Sequence, residues 1–127
     1  MFHLTIQAVF SAAHAIVIKG EREPLHGHNW RVRAVVEGPN LDSDGLLVDF
    51  HALERHLAEI IRPFHNRNLN DVAPFDRVNP TAEHVARHIA TELARHLTSD
   101  RDATARAVRV LRVSVTEAEG CDATYAP

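Results

Sequence analysis

Two stretches near the start of the chain alternate apolar and polar residues, and two later stretches repeat apolar residues every three or four positions. That pairing of periods restricts the chain to folds in which helices cover one face of a half-buried sheet. Phe2, Leu4, Ile6 and Ala8 fall on one side of an extended segment, with His3, Thr5 and Gln7 on the other. This strand is predicted to run on through Phe10 to His14. A second strand sets Trp30, Val32, Ala34 and Val36 against Arg31, Arg33 and Glu37, and Gly38-Pro39-Asn40 ends it. The two strands are expected to pair antiparallel. Between them, Gly20 to Pro24 reads as a charged loop.

The helical period begins after Asp49, a suitable N-cap, with Phe50, Leu53, Leu57, Ile60, Ile61 and Phe64 on one side. Pro63 ends this helix near Arg62. His65 to Asn79 is polar and reads as a loop. Asn79-Pro80 is expected to open a second helix, with Asn at the cap and Pro at the first helical position. Val85, Ile89, Leu93 and Leu97 supply its buried stripe. Ser99 to Thr104 reads as a turn, Ala107 to Glu117 as a third strand and Ala123 to Tyr125 as a short fourth. The expectation is one α+β domain over residues 1–127 in ββααββ order. A four-stranded antiparallel sheet would carry two helices on one face.

Composition narrows the function classes. The chain has 14 Lys and Arg against 17 Asp and Glu, a formal net charge of -3, with the basic residues scattered rather than in a run. A nucleic-acid track needs a basic face, so that class is set aside. The single cysteine, Cys121, excludes an intrachain disulfide and suits a reducing compartment. No apolar stretch reaches membrane-spanning length, and the first residues lack the basic-then-apolar pattern of a signal peptide. A cytoplasmic protein without membrane partners is expected.

Ten histidines in 127 residues direct attention to metal-ligand spacing. His26-Gly27-His28 is the sharpest signal. In a strand, residues two apart share a face, so both imidazoles can reach one ion, and Gly27 leaves room for a ligand. Catalytic zinc takes three protein ligands and keeps one position open, and His14 at the end of the neighbouring strand is the best third candidate. Taken alone, a His-x-His pair is commonly two unrelated surface histidines. His84 and His88 have a two-ligand helical spacing but no evident third ligand, and read as a solvated helix face. His51, His56 and His96 are expected to be exposed. His3 is expected to face solvent or a subunit neighbour.

Six segments in order resemble a known family: Phe10-Ser-Ala-Ala-His14, Leu25-His-Gly-His-Asn-Trp30, Gly45-Leu-Leu-Val-Asp-Phe50, Asn68-Leu-Asn70, Asn79-Pro-Thr-Ala-Glu83 and Val113-Ser-Val-Thr-Glu117. They are similar to 6-pyruvoyl-tetrahydropterin synthase and the bacterial 6-carboxytetrahydropterin synthase of queuosine biosynthesis. The resemblance implies a T-fold whose trimers close their sheets into a barrel, two trimers often stacking into a hexamer. It implies zinc on His14, His26 and His28. It also implies a carboxylate for the pterin ring at Glu117 and a second recognition patch at Thr81 and Glu83. The substrate would be 7,8-dihydroneopterin triphosphate or a close relative. Without the resemblance, Glu117 reads as a solvated strand end and Glu83 as a helix-dipole complement.

The sequence departs from the synthases at two places. They carry a basic-acting cysteine shortly before His-Gly-His, where this chain has Lys19-Gly-Glu-Arg-Glu-Pro-Leu25. They also carry an Asp-His pair before Asn-Leu-Asn, where this chain has Phe64-His65-Asn66-Arg67. A branch of the family with a glutamate in place of the cysteine is associated with release of 6-hydroxymethyl-dihydropterin, a folate precursor, and Glu23 fits it. The chain is therefore expected to be a zinc-dependent lyase on a dihydropterin side chain, with Glu23 and His65 as the proton-transfer candidates. The alternatives are an inactive pterin- or purine-binding module of the same fold, or a structural zinc protein.

Overall fold

The computed structural model describes all residues, Met1–Pro127. The elements in chain order are β1 (Phe2–His14), β2 (Val17–Ile18), β3 (Glu21–Arg22), β4 (His26–Gly38), α1 (Phe50–Ile61), β5 (Arg67–Asn68), α2 (Ala82–Ser99), α3 (Arg101–Ala105), β6 (Arg109–Ala118) and β7 (Cys121–Tyr125). The main sheet has five strands in the order β5-β1-β4-β6-β7. All its neighbours are antiparallel except the β1–β5 pair. The expected α+β architecture holds, with one more strand in the main sheet, a separate β2–β3 pair and one more helix than the sequence pattern gave.

The long β1–β4 pair sets the frame. Its register brings Phe10 opposite Trp30, Ala12 opposite His28 and His14 opposite His26. Even-numbered residues of both strands face the core. Phe10 and Trp30 are fully buried there, their rings stacked 5.9 Å apart. Helix α1 packs on β1, and α2 packs on β6, β7 and α1. Their buried stripes are Leu53, Leu57, Ile60 and Ile61 on α1, and Val85, Ala86, Ile89, Ala90, Leu93 and Leu97 on α2. Asp49 caps α1 as expected, accepting from the His51 amide at 2.8 Å.

Four local expectations are corrected. Residues 20–24 are not a plain loop. Lys19 and Gly20 form a two-residue hairpin turn between β2 and β3, both at positive φ (50° and 81°), the geometry that suits strand twist. Helix α2 begins two residues later than Asn79-Pro80 predicted. Thr81 is its cap and accepts from the His84 amide at 3.1 Å. Asn79 instead bonds both backbone groups of Val17. The expected turn after Ser99 holds α3, whose cap, Asp100, accepts from the amides of Asp102 and Ala103. Finally, Arg67 and Asn68 pair parallel with Ala12 and Ala13. Asn66, at φ 59°, turns its amide onto the Ser11 carbonyl and makes that pairing possible.

Several histidines are also less exposed than the sequence implied. His88 is wedged between the rings of Phe64 and Phe75, 5.6 and 5.5 Å away, and burial holds it below its ordinary value of 6.5. His56 and His96 face each other between α1 and α2. In each case helix packing covers a position that periodicity assigns to solvent.

Candidate metal centre

The core face of the β1–β4 pair extends into the site. His14 ends β1, while His26 and His28 begin β4, and the strand register sets all three on the face that carries Trp30. The Trp30 ring lies edge-on to His14 at 4.9 Å and to His28 at 5.8 Å, and its indole N–H is held by the Ala12 carbonyl at 3.2 Å. The imidazoles thus stand on a rigid aromatic floor. Their centroids are 4.8 Å (His14–His26), 5.2 Å (His14–His28) and 4.6 Å (His26–His28) apart.

The second ring nitrogens fix which atoms point inward. His14 Nδ1 is 2.7 Å from the Pro80 carbonyl and His26 Nδ1 is 2.9 Å from the Pro24 carbonyl. A carbonyl only accepts, so both Nδ1 atoms carry a proton and both rings turn Nε2 to the centre. This is the outer-shell arrangement that orients metal-ligating histidines.

Glu117, two residues from the start of β7's turn, enters the same cluster. Its Oε1 lies 2.9 Å from His14 Nε2, 3.0 Å from His28 Nε2 and 4.0 Å from His26 Nε2. A carboxylate oxygen facing a bare nitrogen is a clash of acceptors. It is relieved only by a proton on that nitrogen or by a cation between the two. His14 is wholly buried. His28 Nε2 is buried and makes no hydrogen bond, the Glu117 contact lying outside bonding geometry. Burial lowers the His28 pKa most, Glu117 opposes this, and His14 and His26 add to the lowering. Neutral imidazoles are the form a metal binds. The four side chains offer one ligand atom each, all within 4.8 Å of one another. The donor set fits a borderline cation such as zinc.

The other sequence candidates stand around this cluster. Glu23 Oε1 is 3.7 Å from His26 Nδ1 and accepts from the Ile16 amide at 3.1 Å. It therefore lies on the outer edge of His26, away from Nε2. Thr81 adjoins Pro80 and caps α2, whereas Glu83 is exposed in the first turn. His65 is not in the cluster: its Nδ1 accepts from the Ser11 amide at 3.2 Å on the flank of β1. A cavity of about 550 Å³ opens beside His28, lined also by Ser11, Asn29, Asn66 and Arg67. Ser11 and Asn29 are register partners whose side chains bond at 2.6 Å. The sequence reading missed these residues and the two proline carbonyls. The strand pairing would have exposed Ser11–Asn29; nothing local marks a backbone carbonyl as an outer-shell partner.

The family described as 6-pyruvoyl tetrahydropterin synthase matches residues 3–127. The chain belongs to that family. It is 35% identical over 94 residues to a dihydroneopterin monophosphate aldolase of Pyrococcus furiosus, covering 74% of this chain and 76% of that one. It is 33% identical over 89 residues to a putative 6-carboxy-5,6,7,8-tetrahydropterin synthase of Archaeoglobus fulgidus, covering 70% and 73%. The Caenorhabditis elegans 6-pyruvoyl tetrahydropterin synthase shares the fold at a TM-score of 0.78 and 22% identity, over 100% of this chain and 97% of that one. A variant of the Plasmodium vivax synthase altered at a glutamate called a catalytic residue shares it at 0.77 and 21%, over 99% and 97%. These two show the T-fold. The family is one of pterin-processing enzymes acting on small molecules.

Proposed function

We infer that this chain is a zinc-dependent lyase that cleaves the side chain of a phosphorylated 7,8-dihydroneopterin. The observation that carries the reading is the convergence of three imidazoles, two of them with inward Nε2 atoms fixed by the Pro80 and Pro24 carbonyls. Zinc held by His14, His26 and His28 would polarise the side-chain hydroxyls and lower their pKa. The Pyrococcus relative, named an aldolase of the monophosphate, supports carbon–carbon cleavage, and the absence of the family's cysteine favours that branch. In such a cleavage a base takes the proton of the C2′ hydroxyl and the C1′–C2′ bond breaks. A carbonyl forms at C2′, and the ring imine accepts the electron pair until C1′ is reprotonated.

Glu23 is the carboxylate assigned to the hydroxyl proton. Its contact with His26 and the Ile16 amide keeps it at the rim, so it reaches substrate rather than the ion. His65 has Nδ1 occupied as an acceptor, so its Nε2 carries a proton and can return it to the product side. Glu117 has a second oxygen to receive the guanidine-like edge of the pterin, with Thr81 and Glu83 completing recognition. Arg67 lines the adjoining cavity and supplies positive charge for the substrate phosphate.

Assembly into a trimer or hexamer is part of the proposal, and the sheet edges support it. Trp30 and Val32 are covered by the chain's own core, 0% and 1% exposed, and need no partner. β5 pairs only with Ala12 and Ala13, which leaves the outer edge of β1 open over most of its length, and β7 is the opposite edge. Joining such edges between copies closes a barrel.

The test combines metal content with product identification. Wild type is expected to hold zinc at the triad and to release a 6-hydroxymethyl pterin from dihydroneopterin mono- or triphosphate. Glu23→Gln should keep zinc and pterin binding and lose most turnover. Full zinc retention in both His26→Ala and His28→Ala rejects the metal assignment. Pterin binding without turnover on either phosphate would reassign the chain to a binding role.

A further inference from the structure

A second group of metal-ligating side chains lies between the helices. His96 is in the last turn of α2, fifteen residues beyond Thr81. At the helical rise that is roughly 22 Å along the axis from the first centre's end of the helix. His96 Nδ1 is 3.1 Å from His56 Nδ1 of α1. Both imidazoles are about four-fifths buried, their side chains 21% and 18% exposed for His56 and His96. Glu59, one turn beyond His56 and on the same side of α1, places Oε2 3.8 Å from His96 Nδ1.

The proton positions are set from outside the pair. His56 Nε2 is 2.8 Å from Asp100 Oδ2. An ionised carboxylate only accepts, so Nε2 holds the proton and His56 Nδ1 presents its lone pair to His96. Asp100 is ionised at neutral pH: burial acts to raise its pKa, but the His56 hydrogen bond, the Ala103 and Asp102 amides and the His56 charge outweigh it. A carboxylate that holds the proton on one ring nitrogen and leaves the other with its lone pair is the outer-shell half of a carboxylate–histidine–metal arrangement. With metal–nitrogen bonds of about 2.0–2.1 Å, a tetrahedral ion separates two ligand nitrogens by about 3.3 Å, close to the spacing present here.

We propose that His56, His96 and Glu59 form a second divalent transition-metal site, with Asp100 as its outer-shell partner and water from the adjoining cavity as the fourth ligand. That cavity, about 240 Å³, is lined by these residues with Arg55, Arg95 and Ser99. Arg95 is paired with Glu92, and the site offers a single carboxylate ligand. Hard cations such as calcium and magnesium bind through accumulated oxygen charge and are disfavoured there. Imidazole ligands favour zinc, cobalt or nickel. The ion would clamp α1 to the α2–α3 corner and stabilise the fold by mass action.

Metal-free protein titrated with zinc and with cobalt against a competing chelator decides the matter. Wild type should take two equivalents, and the His26→Ala/His28→Ala double variant should keep one. Adding His96→Gln to that double variant should remove the remaining equivalent. Asp100→Asn preserves the α3 cap, since Asn caps as well as Asp, and should weaken the second equivalent 10- to 100-fold. Zinc should also raise the thermal midpoint of the double variant, and not once His96 is replaced. Loss of all metal binding in the His26→Ala/His28→Ala double variant overturns the proposal. So does an undiminished second equivalent in both Asp100→Asn and His96→Gln.

Discussion

Replacing Asn70 by alanine should cost about 3 kcal/mol of stability and loosen the metal centre. The Asn70 side chain acts as a surrogate strand for Ala15, the residue after His14. It accepts from the Ala15 amide at 2.8 Å and donates to the Ala15 carbonyl at 2.9 Å. Ala15 is only 3% exposed, so neither group finds water readily when the side chain is cut back. An unpaired buried polar group costs about 1–3 kcal/mol, giving about 2–6 for the two, and water entering the vacated space places the expectation near 3. For a chain of this size that is a fall of about 10 °C in thermal midpoint. Asn79 makes the same two-way bond to Val17, at 2.9 Å each, but Val17 is 46% exposed. Its backbone rehydrates, so Asn79→Ala should cost about 1 kcal/mol or less. Urea unfolding of both variants without metal, followed by zinc titration, is the assay. Equal losses in the two variants would refute the argument from burial. Unchanged zinc affinity in Asn70→Ala would refute the link from Ala15 to His14.

Further outcomes follow from other residues. His88 is held below 6.5 by burial, so the unfolded chain binds its proton first and stability falls as pH drops through 6.5 toward the folded value. His88→Phe should flatten that slope, by at most about 1.4 kcal/mol per pH unit, and an unchanged slope between pH 7 and 5.5 would show His88 is not the cause. Glu117→Gln should keep zinc on the three histidines and weaken pterin binding; loss of zinc would make Glu117 a ligand first. Gly38→Ala should cost about 1–3 kcal/mol, because its Cβ would stand 2.6 Å from the buried Leu47 Cδ1 and 3.2 Å from the Arg106 carbonyl; a neutral result in urea unfolding would mean Leu47 repacks freely. Light scattering should give the mass of a trimer or hexamer, and a monomer at micromolar concentration would contradict edge-to-edge closure.

The sequence by itself determined the periodic elements and marked His14, His26 and His28 as candidates. Alternation in β1 and β4 is a local property, and it placed His26 and His28 on one face before any contact was known. The helical stripes of α1 and α2 were legible for the same reason. Tertiary structure decided what depends on distant partners. The pairing of Arg67 and Asn68 with β1 joins segments 55 residues apart, and Asn66 had to turn left-handed for it. Proton positions on His14 and His26 come from carbonyls of Pro80 and Pro24, which carry no side-chain signature. Glu117 reads as a lone strand end until β6 pairs with β4 and carries it to the imidazoles. His56 and His96 sit on helix faces that look solvated one at a time, and they meet only because α1 and α2 pack together. Periodicity records which way a side chain points; what it meets there is settled by packing between elements far apart in the chain.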